Sequence, residues 1–87
     1  MYLHLGQNVM VRHEDVIGIF DLDNTTWSFR TRRFLERAER EGRVISLGDD
    51  LPRSFVLIRE GAGSSTIYIT PLSAAALSAR AARNLPV

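Results

Sequence analysis

The residues best placed for chemistry are Asp21, Asp23 and Thr25, which begin directly after the apolar run Val16–Phe20. A short apolar run bounded by polar residues predicts a strand buried on both faces. Gly18 in the middle of the run indicates that another backbone or a bulky side chain passes close by. Carboxylates at the end of a buried strand could act on a substrate or hold a metal ion such as Mg²⁺.

This Asp-x-Asp-x-Thr segment resembles the nucleophile motif of haloacid-dehalogenase-type phosphatases, in which the first Asp attacks phosphorus and the second acts as acid and base. That chemistry also needs a cation for the phosphoryl oxygens and further carboxylates for Mg²⁺. A doubly wound sheet that builds such a site needs several crossover units of roughly 30 residues each, and the chain has only 87 residues. We therefore expect a polar turn in which Asp21, Asp23 and Asn24 bond to nearby backbone. The chain is predicted not to be an enzyme, with an Asp-dependent, Mg²⁺-requiring phosphohydrolase as the alternative.

Arginine is the second type of residue that could form a functional site. The chain has no lysine, and all 11 of its basic side chains are Arg. Residues 30–59 hold eight arginines against five acids, whereas residues 1–29 hold one against four. Arg grips phosphate bidentately, where Lys offers only a point charge. A genome composition that favours Arg over Lys would produce the same bias, so the bias alone does not identify a phosphate site.

A helix is predicted from Phe29 to Glu41, with Ser28 as its N-cap and Gly42 at its end. Its apolar stripe has period 3.6 and consists of Thr31, Phe34, Leu35 and Ala38. On nearly the opposite face, four arginines fall within an arc of roughly 80°: Arg30, Arg33, Arg37 and Arg40. This face is either solvated, with supporting pairs such as Glu36–Arg40, or a basic stripe that meets an anion.

The remaining elements predict one α+β domain over residues 1–87, a small, mostly antiparallel sheet of about six strands with two helices. The other predicted strands are Tyr2–Leu5, Val9–Arg12, Arg43–Leu47, Ser54–Ile58 and Thr66–Thr70, and Ser73 caps a second helix that runs to about Arg83. Ser54–Ile58 is apolar on both faces, which implies a contact with another subunit on one side. The alternation in Thr66–Thr70 predicts one exposed face.

Composition narrows the function classes further. The chain has no cysteine and two isolated histidines, His4 and His13, so neither a zinc site nor any other cofactor is predicted. No apolar run approaches the roughly 18 residues of a membrane span. A cytoplasmic location without a membrane partner is therefore expected. A domain this small is marginally stable alone, and oligomerisation is a common remedy.

Several ordered segments resemble the RemA/RemB-like family of small bacterial extracellular matrix regulators. The segments run from residue 1 to about residue 82 and are Met1–Gly6, Asp15–Asp21, Phe34–Leu35, Pro52–Ser54, Ile67–Tyr68 and Pro71–Ser73. The resemblance implies a small α+β domain that assembles as a closed homo-oligomeric ring and binds double-stranded DNA around its rim. It further implies transcription regulation of matrix (biofilm) genes.

The resemblance also implies where the DNA-binding arginines lie, namely in the turn before the central strand and in the turn before Ser54. Arg53 occupies the second turn, and Arg12 and His13 are the basic residues near the first, beside Glu14 and Asp15. Arg30, Arg33 and Arg37 are secondary candidates. A structural or accessory ring subunit that binds only protein, with a RemA-like protein as its partner, is the alternative.

Overall fold

The computed structural model describes residues 1–22 and 29–84, with side chains as far as Ala82. Over these residues the chain forms six strands and two helices. They are, in order, β1 (Tyr2–Gly6), β2 (Val9–Arg12), β3 (Val16–Asp21), α1 (Phe29–Arg40), β4 (Val44–Ser46), β5 (Ser54–Arg59), β6 (Ser65–Thr70) and α2 (Ala74–Asn84). The predicted N-cap Ser28, and Asp23 and Asn24 of the polar turn, lie outside the described residues.

The strands form two sheets, so the prediction of a single sheet of about six strands is wrong. β1 and β2 form a two-stranded hairpin, and the other four strands form a sheet in the order β3-β5-β6-β4. All pairs are antiparallel except β4 with β6, which confirms a mostly antiparallel arrangement. The hairpin stays separate because it packs face-on against the larger sheet, where Leu3 and Leu5 are buried, instead of extending an edge.

A tight turn at Gln7 and Asn8 closes the β1–β2 hairpin. Both residues have positive φ, 52° and 62°, as a type I′ turn requires. This turn is favoured in hairpins because its twist matches that of the flanking strands. Leu3, Leu5 and Val11 then point to one buried face, since alternate side chains of a strand lie on the same face. A single 3₁₀ turn, His13–Asp15, connects the hairpin to β3.

The four-stranded sheet lies between two apolar clusters. On one face the hairpin and α2 pack against β5 residues Val56 and Ile58. On the other face Ala38 of α1 packs with Phe55 and Ile67. Both faces of β5 are thus covered within one chain, and the prediction that its second face needs another subunit is wrong. The chain covers it because α1 and the hairpin lie on opposite sides of the sheet.

Position within the sheet also corrects the predictions for β3 and β6. β6 lies between β5 and β4. It packs Tyr68 on one cluster and Ile69 on the other, so the prediction that one of its faces is exposed is wrong. β3 is an edge strand rather than a strand buried on both faces. Ile17 is 51% exposed and Phe20 is 43% exposed, because β3 has a sheet neighbour on one side only.

Gly18 is needed because the ring of Phe20 lies over it. A Cβ built on Gly18 would come within 2.8 Å of that ring, which agrees with the expected close approach of a bulky side chain. The Phe20 ring stacks on Phe55 with centroids 4.7 Å apart and an interplanar angle of 15°. The glycine therefore allows an aromatic pair to cover part of the edge strand.

Gly18→Ala is expected to lower the free energy of unfolding by up to about 1 kcal/mol, because the Phe20 ring must turn away from Phe55. In a Phe20→Ala background the same change should instead raise it by about 0.5–1 kcal/mol, since Ala loses less backbone entropy than Gly. Urea unfolding of the four proteins measures both values. The same sign in both backgrounds would contradict this account of Gly18.

Polar contacts fix the beginning of α2 and join β6 and α2 to the β1–β2 hairpin. Ser73 Oγ accepts the backbone N–H of Ala76 at 3.0 Å, which confirms Ser73 as the N-cap. Buried Thr70 donates its hydroxyl to the Leu5 carbonyl oxygen at 2.9 Å, and Arg80 donates to the carbonyl oxygen of His4 at 3.2 Å. The last two bonds join segments that are 65 and 76 residues apart in the sequence.

Candidate nucleic-acid interface

Helix α1 presents the densest group of basic side chains. Its five arginines are all exposed: Arg30, Arg32, Arg33, Arg37 and Arg40. Ala38 is buried and Leu35 half-buried against the sheet, so the predicted apolar stripe is confirmed in its centre. Phe34, at the margin of that stripe, remains 38% exposed. The stripe from Arg30 to Arg40 is about 15 Å long at 1.5 Å per residue.

The end of α1 is fixed by Gly42, as predicted. Gly42 has φ +73°, and its N–H donates to the Glu39 carbonyl oxygen at 3.1 Å. The next N–H, from Arg43, donates to the Ala38 carbonyl oxygen at 2.9 Å, which completes a Schellman cap. This short connection reverses the chain into β4, so the beginning of α1 is directed toward the end of the sheet where β4 finishes.

Within the part of the chain that the structure describes, two of the α1 arginines have partners on the helix or directly after its end. The Arg33 guanidinium lies 5.4 Å from the centre of the exposed Phe29 ring, a cation–π distance. Arg37 forms an ion pair with Glu41, four residues on, at 3.5 Å. Among the described ion pairs the predicted Glu36–Arg40 pair is not present. The face is therefore only lightly neutralised.

Arg53 lies at the start of β5, and its backbone is held on both sides. Its N–H donates to the Thr70 carbonyl oxygen and its carbonyl oxygen accepts the N–H of Leu22, both at 2.9 Å. Its side chain is exposed. This is the end of the sheet where β4 and β6 finish, and toward which the first turn of α1 is directed. Arg53 and the beginning of the α1 stripe therefore lie toward the same end.

Arg12 and His13 lie at the opposite end of the sheet from Arg53. β3 and β5 are antiparallel, with Val16 opposite Ile58 and Asp21 opposite Ser54. The two ends of this pair are about 17 Å apart at about 3.4 Å per residue. Arg12 is paired with Glu14, and His13 Nε2 lies 3.3 Å from the Ala81 carbonyl oxygen. The structure thus does not bring the two predicted rim segments together within one chain.

The chain is similar over most of its length to a bacterial regulatory protein. The chain is 32% identical to a protein named extracellular matrix regulatory protein B from Bacillus subtilis (strain 168), over 81 residues that make up 93% of this chain and 90% of the relative. No protein-family model matches the chain. The chain belongs to the extracellular matrix regulatory protein B family. The resemblance to the small bacterial extracellular matrix regulators is therefore confirmed.

In this member of the extracellular matrix regulatory protein B family, Asp21 ends the edge strand β3 and is exposed. Asp23 and Thr25, the rest of the phosphatase-like motif, lie outside the described residues. Within residues 1–22 and 29–84, no three His, Cys, Asp or Glu side chains come together as a group that could hold a metal ion. Across the same residues, no helix has the length and apolar character to cross a membrane.

Sequence reasoning missed the role of Arg43, which it treated only as the start of a strand. Its guanidinium donates to Ser65 Oγ at 2.8 Å and to Glu41 Oε1 at 2.8 and 3.0 Å. The pKa of Glu41 lies below its ordinary value, first because of the Arg43 hydrogen bond. The spacing Glu41-x-Arg43 was visible, but the contact with Ser65 depends on the pairing of β4 with β6.

Proposed function

We propose that the chain is a DNA-binding transcription regulator of the RemA/RemB type, which acts as a closed ring of identical copies and regulates extracellular matrix genes. The observation that carries the proposal is the arginine face of α1, with Arg53 toward the same end of the molecule. Family membership supports it through the name of the relative, a matrix regulatory protein. The members of this surface are Arg53, Arg30, Arg33 and Arg37, with Arg12 and His13 as outlying contacts.

Arginines on a helix face suit recognition of the DNA backbone. The guanidinium fork grips phosphate oxygens bidentately, and contacts of this kind position a protein without reading the base sequence. A stripe about 15 Å long runs past several phosphates, since each strand carries one per 3.4 Å of helix axis. Arg12 contributes less because Glu14 already pairs with it.

Assembly into a ring makes these contacts sufficient for binding to DNA. One copy offers few cations, but in a ring each further contact with the same duplex is intramolecular, so weak contacts sum to avidity. The edge strand β3 offers a surface for a neighbouring copy, because Ile17 and Phe20 leave apolar area exposed there and an edge strand retains unpaired backbone groups. Head-to-tail contacts of this kind close a ring or extend into a filament.

Removal of the arginines tests the proposal. The double variant Arg30→Ala/Arg33→Ala and the single variant Arg53→Ala should both bind a long AT-rich duplex more weakly than wild type. Each should also reduce the dependence of log affinity on log salt, by about 0.9 for every phosphate that the variant no longer neutralises. Gel shifts at several salt concentrations measure both quantities. Arg59→Ala is the matched control, because Arg59 is exposed at the other end of the strand that Arg53 precedes.

Light scattering coupled to size exclusion, run on the same samples, reports whether each variant keeps the oligomer of wild type. An equal loss of DNA affinity in Arg59→Ala would show that net charge, and not this surface, is responsible. A monodisperse monomer would refute the ring. No DNA binding by wild type even at low salt would favour the second candidate function, a protein-only ring subunit. Two observations favour that candidate: the Arg12–Glu14 pair, and exposed Asp49 and Asp50 in the loop before Arg53.

A further inference from the structure

A groove of about 500 Å³ lies between the end of α1 and the turn that precedes β6. One wall consists of Phe34, Arg37 and Glu41, and the other of Arg43, Ser64 and Ser65. Its volume is within the range of small-ligand sites, about 300–1,000 Å³. The groove lies at the end of the sheet opposite Arg53, because β4 and β6 both begin there.

Arg43 makes one wall of the groove rigid. Its Nη1 donates to the Ser65 carbonyl oxygen at 3.1 Å and to Ser65 Oγ at 2.8 Å, while Nε and Nη2 both donate to Glu41 Oε1. Only 26% of the Arg43 side chain is exposed. A guanidinium held by four hydrogen bonds does not need to be ordered when a ligand arrives, so the wall is preorganised.

The groove carries more positive than negative charge. Among the described residues that line the groove, Glu41 is the single carboxylate, and it is shared by Arg43 and Arg37. The Arg43 hydrogen bond, followed by the charges of both arginines, holds the pKa of Glu41 below its ordinary value, so the carboxylate remains ionised at neutral pH. One positive charge is therefore left over, and the groove favours an anion.

Arg37 is the side chain able to bind that anion. It meets Glu41 through Nε, and its two terminal nitrogens have no partner among the described residues. Those nitrogens form the fork that phosphate oxygens accept. Ser64 and Ser65 stand across the groove. The Ser64 hydroxyl donates to the Glu60 carbonyl oxygen, whereas Ser65 Oγ accepts from Arg43 and keeps its own hydrogen to donate to a phosphate oxygen. Beside Arg37 the half-exposed ring of Phe34 supplies a flat apolar surface, which suits a planar ring system.

We propose that this groove binds a nucleotide, with its phosphate on Arg37 and the serine side of the groove, and with its base against Phe34. A terminal phosphate carries a charge of about −1.5 to −2 at neutral pH, which the surplus guanidinium charge attracts. The phosphate and the aromatic face together distinguish a nucleotide from inorganic phosphate and from an uncharged nucleoside.

The test is a titration of the full chain with adenosine monophosphate, followed by calorimetry and by amide resonances in two-dimensional NMR. Adenosine monophosphate should bind and perturb the resonances of residues 34–43 and 63–65. Inorganic phosphate should bind more weakly, and adenosine should produce no saturable change. Arg37→Gln should weaken binding by about tenfold or more, the scale on which removal of a charge-assisted hydrogen bond acts.

Arg40→Gln is the matched control, because Arg40 is exposed on the same helix but does not line the groove. Arg40→Gln should bind the nucleotide as wild type does. Phe34→Ala should weaken the binding of the nucleotide without affecting the binding of inorganic phosphate. Equal losses of affinity in Arg37→Gln and Arg40→Gln, or no saturable binding of the nucleotide, would overturn the site. So would perturbation of the groove by duplex DNA in a separate titration, if no mononucleotide perturbs it. The titration contains no DNA, so its failure and the failure of the DNA-binding proposal are distinguishable.

Discussion

Leu77→Ala is expected to lower the free energy of unfolding by about 2–5 kcal/mol, the cost of removing a fully buried leucine side chain and leaving a cavity. Leu77 is 0% exposed and packs among Leu3, Leu5 and Val56. It is the largest side chain by which α2 holds the core, since most of that helix is alanine. A domain of 87 residues has a total stability of about 4–13 kcal/mol at roughly 0.05–0.15 kcal/mol per residue, so the loss is a large share of it.

Urea unfolding followed by circular dichroism at one protein concentration measures the effect, and a fixed concentration is needed because oligomers are stabilised by mass action. Leu51→Ala is the control with identical chemistry. Leu51 is 83% exposed, and its truncation should change stability by less than about 0.5 kcal/mol. Similar losses of stability in the two variants would show that α2 does not hold the core through Leu77.

Thr70→Val is expected to lower the free energy of unfolding by about 1–3 kcal/mol, the cost of leaving a buried polar group without its partner. The Thr70 hydroxyl donates to the Leu5 carbonyl oxygen at 2.9 Å and accepts the N–H of Leu72 at 3.2 Å. The side chain is fully buried, so water cannot replace either bond. Val has nearly the same shape as Thr, and the change therefore isolates the hydroxyl group.

Thr70→Ser keeps the hydroxyl and removes only a methyl group, so it should retain the protection of the hairpin amides. Hydrogen exchange on β1 and β2 separates the two variants, because Thr70 joins the hairpin to the larger sheet. Faster exchange in Thr70→Ser than in Thr70→Val would contradict the assignment of this bond. Equal rates of amide exchange in wild type and Thr70→Val would also contradict it.

Local patterns in the sequence predicted the local structure well. The period of 3.6 and the position of Gly42 predicted α1, and the structure ends that helix with a positive φ at Gly42. Ser73 was predicted as a cap and accepts the N–H of Ala76. Each of these features depends on residues within one or two helical turns, so the chemistry that decides them lies within a short stretch of sequence.

Strand neighbours could not be predicted in the same way. The run Val16–Phe20 is as apolar as Ser54–Ile58, yet β3 lies at an edge and β5 in the centre of the sheet. Composition describes what a strand can bury, but the order of strands depends on contacts between distant segments. For the same reason, the sequence could not show that Arg12 and Arg53 lie at opposite ends of the sheet. Both residues precede strands whose antiparallel pairing separates them.

The bond from Thr70 to Leu5 has a further consequence for how the protein is made. It spans 65 positions of sequence, and that from Arg80 to His4 spans 76. During synthesis the hairpin leaves the ribosome long before its partners β6 and α2 exist, and an isolated two-stranded hairpin is at best marginally stable in water. Such distant contacts slow folding, because the entropy cost of loop closure comes before the contacts form. The hairpin therefore acquires its stable place only when α2 has been translated.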